Sequence, residues 1–494
     1  MVAFRSFSLN RSDDKITINI FLLLGLTMLI ILHLMCLYAV GLAIILAIIE
    51  NIIVFYYLLK GYNKKALIYM CLFYTTNYGD PVFFGTSHKL DTIYYIENIP
   101  VFHGFLTLLS FFILWINVCS LKGTVKKSTS NILSEFVTYT FFAGVLMGLF
   151  TIIINGFQYR AVINDISKCI IPALVILVFI KVFRDDPLYA RKYLSLVFHI
   201  ILSYIIIAWI TTTFGIYADF VQERQNVLML PLPSFYLSSI ILFLGLMHSF
   251  REKIIVFLAF LSTIYFQLFF DSCMNGKSWF VFVTTILVAI YLLARNSIKR
   301  SLLLYVTVFL ILVVSIIKLA PQVDVFISNT ENLKLLEFVS MFEAADSGDM
   351  DDMDQSSKAR FVEFINVADQ YIKEPIFALT GRGYGGSIHS NGFFVKRTES
   401  GYSADQYDSD KFYALHESVN ILFLKFGLVG LFFFTLIIFR LIKGFKYSPW
   451  CYIGFIWLLF FWGYQNALLF IGVPAMISGL FSFPQNHKAI TNTI

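Results

Sequence analysis

The sequence predicts an all-α, polytopic membrane protein, a bundle of about 13 or 14 transmembrane helices with one long, partly helical outer loop. Of its 494 residues, 58% are hydrophobic and only 14% are charged, whereas soluble domains carry about a quarter charged residues. The mean hydropathy is +0.77. Apolar runs close to the length of about 20 residues that crosses a bilayer recur along most of the chain.

These apolar runs are separated by short polar segments. They fall at 17–38, 40–59, 66–76, 101–120, 131–154, 169–183, 193–214, 235–250, 254–270, 278–294, 302–319, 416–441, 450–463 and 465–481. Three of the runs, 66–76, 450–463 and 465–481, are short for a full crossing. The last two are also compatible with one broken or re-entrant segment, so the sequence leaves the helix number open by one or two.

Lysine and arginine concentrate in every second connecting segment. With the N-terminus in the cytoplasm, the inner segments are rich in them, as at Lys64, Arg191, Lys299 and Lys443. The short outer loops carry only Lys89, Arg160, Lys168, Arg224 and Lys277. This imbalance follows the positive-inside rule, and it explains the net charge of +6 without a nucleic-acid partner.

The same orientation places residues 320–415 on the extracytoplasmic face. The chain then divides into N-terminal transmembrane helices (1–319), the large loop (320–415), and C-terminal transmembrane helices with a tail (416–494). Within the loop, apolar residues at helical spacing predict a surface helix at Leu333–Ala345 and another at Ala359–Ile372, which Pro375 ends. The acidic tract 346–354 lacks the spacing of a calcium loop and is predicted to be solvated.

The candidate functional residues gather where the loop returns to the membrane. Arg360 lies on the helix that leads into Gly381, Arg382, Gly383, Tyr384, Gly385 and Gly386. Four glycines in six residues permit close backbone approach and can present N–H groups to phosphate. The alternatives stay open: a snorkelling arginine or one paired with Glu363, and a simple flexible turn.

A second group of candidates brackets this segment. His416 stands at the junction between the loop and the next helix, with Glu417 beside it and Asn420 one turn later on the same face. A histidine titrates near neutral pH and can act as a base, although a polar interface residue is the plain alternative. Lys277, in the small outer loop Asn275–Ser278, suits anion binding or simple snorkelling. Six cysteines without C-x-x-C spacing give no metal site.

Taken in order, Ser356, Arg360, Pro375, the Gly381–Gly383 motif, His416 and the G-L-x-G segment 427–430 resemble the O-antigen polymerases and O-antigen ligases of bacterial surface-polysaccharide assembly. The resemblance implies a GT-C type glycosyltransferase of the bacterial inner membrane. Arg360 falls at the family's essential loop arginine and His416 at its histidine, which is usually followed by asparagine rather than by a residue like Glu417. Lys277 stands where members often have arginine, and lysine lacks the bidentate guanidinium.

The resemblance further implies the reaction. A glycan carried on undecaprenyl pyrophosphate is transferred to a hydroxyl of a second lipid-linked repeat unit, with no cofactor, no metal and no nucleotide sugar. His416 would accept the hydroxyl's proton, while Arg360, Arg382 and Lys277 would offset charge on the leaving pyrophosphate. Gly381, Gly383, Tyr384, Glu417 and Asn420 would contact the substrate. Membrane lipids, a chain-length regulator (co-polymerase) and a flippase are the implied partners.

Three other functions remain open. An O-antigen ligase would use lipid A-core as the acceptor, and the length of this chain favours the polymerase over it. A lipid-linked oligosaccharide flippase or polysaccharide transporter would show paired broken helices or internal repeats, which the sequence does not display. An acyltransferase is a third alternative, which would need its histidine in a channel or on the cytoplasmic side.

Overall fold

This computed structural model describes residues 15–36, 40–76, 109–110, 112–117, 131–213, 237–269, 276–296, 355–390, 404–415, 418–462 and 466–482. Within these ranges every regular element is a helix, which confirms the predicted all-α class. Only two isolated β-bridges, Ile16–Met247 and Ile388–Phe412, join segments of these ranges outside the helices.

The helices are numbered in chain order. They are α1 (Ile20–Cys36), α2 (Val40–Leu59), α3 (Asn63–Thr76), α4 (Asn131–Asn155), α5 (Tyr159–Asp165), α6 (Ile171–Asp185), α7 (Pro187–Thr213), α8 (Phe250–Phe269), α9 (Gly276–Asn296), α10 (Gln355–Lys373), α11 (Pro375–Thr380), α12 (Ala404–Ser409), α13 (Ser418–Gly444), α14 (Pro449–Phe461) and α15 (Asn466–Phe481). A π-helical turn, Ile166–Ile170, joins α5 to α6, and a 3-10 helix spans Ser239–Leu246.

Four described helical segments are long and apolar enough to cross a membrane. They are Ile132–Asn155, Tyr159–Asp185, Pro187–Thr211 and Ser418–Gly444. Shorter apolar helices accompany them, and α4 exposes Phe142, Leu146 and Ile153 on its outer surface. Apolar side chains on the outside of a helix bundle suit contact with lipid. These helices are those of a membrane protein, while the number of 13 or 14 crossings remains a prediction.

Two predicted runs differ from the observed helices. The run predicted at 169–183 belongs to a longer helical segment that already begins at Tyr159. The run predicted at 235–250 is not one membrane helix, because its helical part is the short 3-10 segment. After Leu246 the chain extends, and the carbonyl of Leu246 accepts a hydrogen bond from the amide of Ile16 at 2.9 Å. The runs at 302–319 and 333–345 lie outside the described residues.

Segments that the charge pattern assigns to the cytoplasmic face meet at one end of the bundle. Lys64 pairs with Asp186 at 2.5 Å, and the hydroxyl of Tyr189 donates to the carbonyl of Lys64 at 2.7 Å. The amide of Ile18 donates to the carboxylate of Glu252 at 3.0 Å. The start of α3 therefore contacts the start of α7, and the N-terminal segment contacts the start of α8, while their cytoplasmic location stays a prediction.

Helix α13 organises the part of the fold that carries the candidate residues. It packs against α4, α10, α11 and α14. Helix α10 confirms the predicted helix over Ala359–Ile372, extending it to Gln355–Lys373. Glu374 then precedes Pro375 at the start of α11, where proline fits the first turn because its missing N–H has no helical partner. The chain turns there and brings the glycine motif onto α13.

Candidate functional site

The structure describes some of the predicted site residues and not others. His416 and Glu417 lie outside the described residues, between Leu415 and Ser418, which are both buried. Lys277 is the second residue of α9, and its side chain is not described. Arg360, Gly381, Arg382, Gly383, Tyr384 and Asn420 are all described, and they meet around the first half of α13.

Helix α13 is broken at Gly427, which has a φ of 61°. A break of this kind interrupts the i to i−4 ladder and leaves carbonyls of the preceding turn without helical donors. Three carbonyls there accept from other elements. The carbonyl of Leu424 accepts from the hydroxyl of Tyr371 at 2.6 Å and from the amide of Arg382 at 2.9 Å. The carbonyl of Lys425 accepts from the amide of Gly383 at 3.0 Å, and that of Phe426 accepts from the hydroxyl of Tyr139 at 3.0 Å. Donors from α10, α4 and the glycine motif therefore satisfy the carbonyls that the break exposes.

Tyr371 is suited to this task because it is a neutral donor. Its side chain is buried on the inner face of α10 and packs edge-on against Phe423. Burial raises the pKa of the Tyr371 phenol, so the hydroxyl stays protonated and donates its hydrogen to the carbonyl of Leu424. A carboxylate at the same place would have no proton to give.

The backbone amides of the glycine motif all donate within the protein. The acceptors of residues 381 to 386 are, in order, Phe377 O, Leu424 O, Lys425 O, Gly144 O, a carboxylate oxygen of Asp165 and Gly383 O. This corrects the prediction that the motif cradles phosphate through its N–H groups, because no amide of Gly381, Gly383 or Tyr384 is left to do so. The motif instead inserts irregular backbone among helices, which is tolerated beside lipid only when every polar group is satisfied.

Close packing explains why the motif is rich in glycine. Gly383 has a φ of 66°, and a Cβ added to it would meet the backbone of Gly144 and Gly148 on α4. Tyr384 lies against the same two residues, and its hydroxyl donates to the carbonyl of Thr140 at 3.0 Å. The small residues on α4 therefore form the surface that receives the motif.

Arg382 also has a structural partner set rather than an open position. The residue is 3% exposed, and its guanidinium donates to the carbonyl of Ser387 and to the carboxylate of Glu374 at 3.0 Å and lies over the ring of Phe377. These contacts tie the two ends of the motif to α11. In this structure the side chain holds the loop, and the contact of Arg382 with pyrophosphate stays a prediction.

A buried ion pair joins the motif to the membrane helices. Lys425 Nζ lies 2.6 Å from Asp165 Oδ2, and both side chains have almost no exposure. Lys425 also donates to the carbonyl of Gly386 at 2.7 Å, while Asp165 accepts from the amide of Gly385 at 2.7 Å. A charge inside a membrane bundle is costly unless it is paired and hydrogen-bonded, and this arrangement satisfies both partners.

Arg360 and Asn420 are brought together at the start of α13. Asn420 Nδ2 donates to the carbonyl of Arg360 at 2.9 Å and to the carboxylate of Glu363 at 2.8 Å. Glu363 is buried and lies one turn after Arg360 on α10. Lys168, half-buried on the π-helical turn, is close enough to Glu363 and Asp165 to interact with both electrostatically. Positive and negative groups from α10, α13 and the π-helical turn therefore meet on one side of the bundle.

Comparison with known proteins gives no match: no family model fits the chain, and neither a curated protein nor a solved structure is similar to it. Within the described residues, no group of three or more His, Cys, Asp or Glu side chains could hold a metal ion. The family assignment and the metal-independent reaction therefore stay predictions.

Sequence reasoning missed the groups that anchor the site. Lys425 stands alone among apolar residues in the run 416–441, and Asp165 lies four residues before the run 169–183. Ionisable residues within or beside membrane helices are by default candidates for function, so this signal was present in the sequence. That Asp165 and Lys425 are partners, 260 positions apart, is visible only in three dimensions.

Proposed function

We propose that this chain is a polysaccharide polymerase that uses lipid-pyrophosphate-linked glycans. It transfers the glycan of one lipid-linked unit to a hydroxyl of another at the outer face of a bacterial cytoplasmic membrane. The observation that carries the proposal is the pair of hydrogen bonds from Asn420 to Arg360 and Glu363. They fasten the helix that bears the predicted arginine to the start of α13, two residues after the predicted base His416.

The surface around Arg360 supports a substrate with a lipid carrier. Phe361 and Phe364, within one turn of Arg360 on α10, are 46% and 37% exposed, and Ile372 and Leu379, further along α10 and α11, are 78% and 57% exposed. Apolar side chains on this scale favour contact with acyl or polyprenyl chains over water. A donor whose head group meets Arg360 would keep its hydrocarbon chain on the adjoining apolar face.

In the proposed step, the acceptor hydroxyl attacks the anomeric carbon as the bond from that carbon to the phosphate oxygen breaks. His416 takes the hydroxyl proton, and undecaprenyl pyrophosphate leaves with the bonding electrons. Arg360 offsets the growing charge on the pyrophosphate, with Lys277 and Lys168 as further cations of the predicted outer face. Arg382 and the glycine motif act indirectly, by holding α10 and α13 in register.

The reaction is tested with the full chain in proteoliposomes that contain a lipid-linked repeat unit. We expect a ladder of longer glycans from the wild-type protein, and a loss of at least about 100-fold in chain growth for Arg360→Ala and for His416→Ala, which is the usual weight of a general base or a charge-stabilising group. Lys373→Ala is the matched control, because Lys373 is an exposed cation of the same helix that pairs with Asp369. It should extend chains normally.

The result that would remove a residue from this mechanism is normal chain growth by its variant at equal protein abundance. Adding lipid A-core to the lipid-linked units separates a ligase from a polymerase. If the glycan moves to lipid A-core and lipid-linked units do not lengthen, the chain is a ligase.

A second function is favoured by a specific observation. Transporters build their sites from broken helices and intramembrane charges, and α13 combines a break at Gly427 with the buried pair of Lys425 and Asp165. A flippase would move a fluorescent lipid-linked oligosaccharide across the proteoliposome membrane and leave its covalent structure unchanged. Movement without longer products would establish the transporter in place of the polymerase.

A further inference from the structure

A cavity of about 690 Å³ lies at the end of the bundle where the predicted cytoplasmic segments meet. It opens between the N-terminal segment, the start of α7, the turn from α13 to α14 and the end of α15. None of the residues that join α10, α13 and the glycine motif lines it. Its volume is within the range of about 300–1,000 Å³ in which proteins enclose small organic ligands.

The charge on the cavity wall is positive. Lys15 and Arg191 line it, and no aspartate or glutamate is among the described residues that do so. His199, also on the wall, is neutral: its Nε2 accepts from the amide of Asn19 at 2.9 Å, so its Nδ1 carries the proton and donates to the carbonyl of Ser195 at 2.7 Å. An anionic ligand therefore meets two cations on the part of the wall that the structure describes.

One side of the cavity is apolar and continues onto the outer surface. Ile20 and Phe21 line it and are 66% and 87% exposed, and Leu24, one turn further along α1, is 57% exposed. On the inner side, Ser448, Ser478 and Ser482 supply hydroxyl groups from the start of α14 and the end of α15. A cationic, hydroxyl-bearing pocket beside a lipid-facing apolar wall matches a molecule with an anionic head and a hydrocarbon tail.

We propose that this cavity binds the head group of an anionic glycerophospholipid, with an acyl chain lying along Ile20 and Phe21. The phosphate lies between Lys15 and Arg191, and the serine hydroxyls face the glycerol portion. A zwitterionic phospholipid brings a cation to the same wall and binds less well, because no carboxylate among the described lining residues receives it. This site does not depend on the proposed polymerase activity.

Binding at this place would also stabilise the fold. The lipid would contact the N-terminal segment, α7, α14 and α15 at once, and a ligand that binds only the folded arrangement shifts the unfolding equilibrium toward it. The thermal midpoint of the full chain should therefore rise with the concentration of phosphatidylglycerol and stay nearly constant with phosphatidylcholine of the same acyl chains.

The test uses the full chain, purified and delipidated in detergent, with native mass spectrometry and thermal unfolding as the two readouts. We expect phosphatidylglycerol to stay bound to the wild-type protein. Lys15→Gln with Arg191→Gln should weaken it by about 30-fold, since each cation contributes roughly 1 kcal/mol toward an anionic lipid. Lys192→Gln with Lys253→Gln is the matched control: it removes two exposed cations that do not line the cavity, and binding should be unchanged. Lys15→Gln alone, at an exposed position, should weaken binding by about 5-fold even if the double variant does not fold.

Several outcomes would overturn the proposal. One is equal retention of phosphatidylglycerol by the cavity variants and the control. Another is equal binding of phosphatidylcholine, which would leave only an apolar contact. Displacement of phosphatidylglycerol by millimolar inorganic phosphate would identify a free-anion site instead. Binding that emerges only after residues 1–13 are deleted would show that the cavity receives the chain's own N-terminal segment.

Discussion

Replacing Lys425 with methionine is expected to lower the free energy of unfolding by about 3–5 kcal/mol, the usual cost of removing one partner of a buried ion pair. The variant leaves the carboxylate of Asp165 with the amide of Gly385 but without its cation, in a position that water does not reach. It also removes the donor to the carbonyl of Gly386. The glycine motif should therefore loosen from α13, and chain growth should fall together with stability.

Equilibrium unfolding in mixed micelles measures this loss, and a second substitution identifies its cause. Asp165→Asn added to Lys425→Met removes the stranded charge but keeps an oxygen that can accept from the amide of Gly385. We expect the double variant to recover at least about 2 kcal/mol relative to Lys425→Met alone. Asp165→Leu with Lys425→Leu should recover less, because the amide of Gly385 then has no acceptor.

An exposed ion pair supplies the control for this series. Lys373 pairs with Asp369 at 2.8 Å, but the side chain of Lys373 is 66% exposed. Lys373→Met should change the unfolding free energy by less than about 0.5 kcal/mol, since exposed pairs contribute little. If Lys425→Met were as mild as this control, the pair of Asp165 and Lys425 would not hold the glycine motif against α13.

Features set by local sequence were predictable, whereas features set by distant contacts were not. The all-α class followed from residue type, because a bilayer demands long apolar segments, although the run 235–250 did not form one membrane helix. Helix α10 was predicted nearly to its end, since Pro375 limits it by local chemistry. The break at Gly427 was not predicted: a glycine within an apolar run looks like any other until the donors from α4, α10 and the glycine motif are known.

The predicted site remains a prediction, but the structure shows how some of its residues are placed. Arg360 and Asn420 do lie together, as their positions on either side of the loop's return suggested. The glycines and Arg382 were assigned to phosphate, because a glycine-rich segment with a cation reads the same in sequence whether its amides face a ligand or a neighbouring helix. The acceptors of these amides show that the amides face neighbouring helices. Those on α4 and α5 lie more than 200 residues before the motif, and those on α13 lie about 40 residues after it. Local sequence patterns do not reveal contacts over such separations.

Substituting alanine for Gly383 is expected to be still more damaging, with a loss above about 4 kcal/mol, in the range reserved for severe steric or electrostatic disruption. The added Cβ would lie 2.5 Å from the carbonyl oxygen of Gly144 and also collide with the backbone of Gly148. Gly156→Ala separates the two causes. Gly156 has a similar φ of 78° but nothing within 4 Å of an added Cβ, so its loss should be only the conformational cost of about 1–2 kcal/mol.

Helix α4, against which the glycine motif packs, offers a matching pair of substitutions. A Cβ at Gly144 would meet the ring of Tyr384 at 2.6 Å, whereas a Cβ at Gly148 would meet the backbone of Tyr384 at 2.5 Å. Removing the ring with Tyr384→Ala should therefore relieve part of the destabilisation caused by Gly144→Ala and none of that caused by Gly148→Ala, as measured by unfolding in the same micelles. If Tyr384→Ala rescued Gly144→Ala and Gly148→Ala equally, the backbone of the motif would not pack against Gly148, because removing the ring of Tyr384 does not relieve a clash with its backbone.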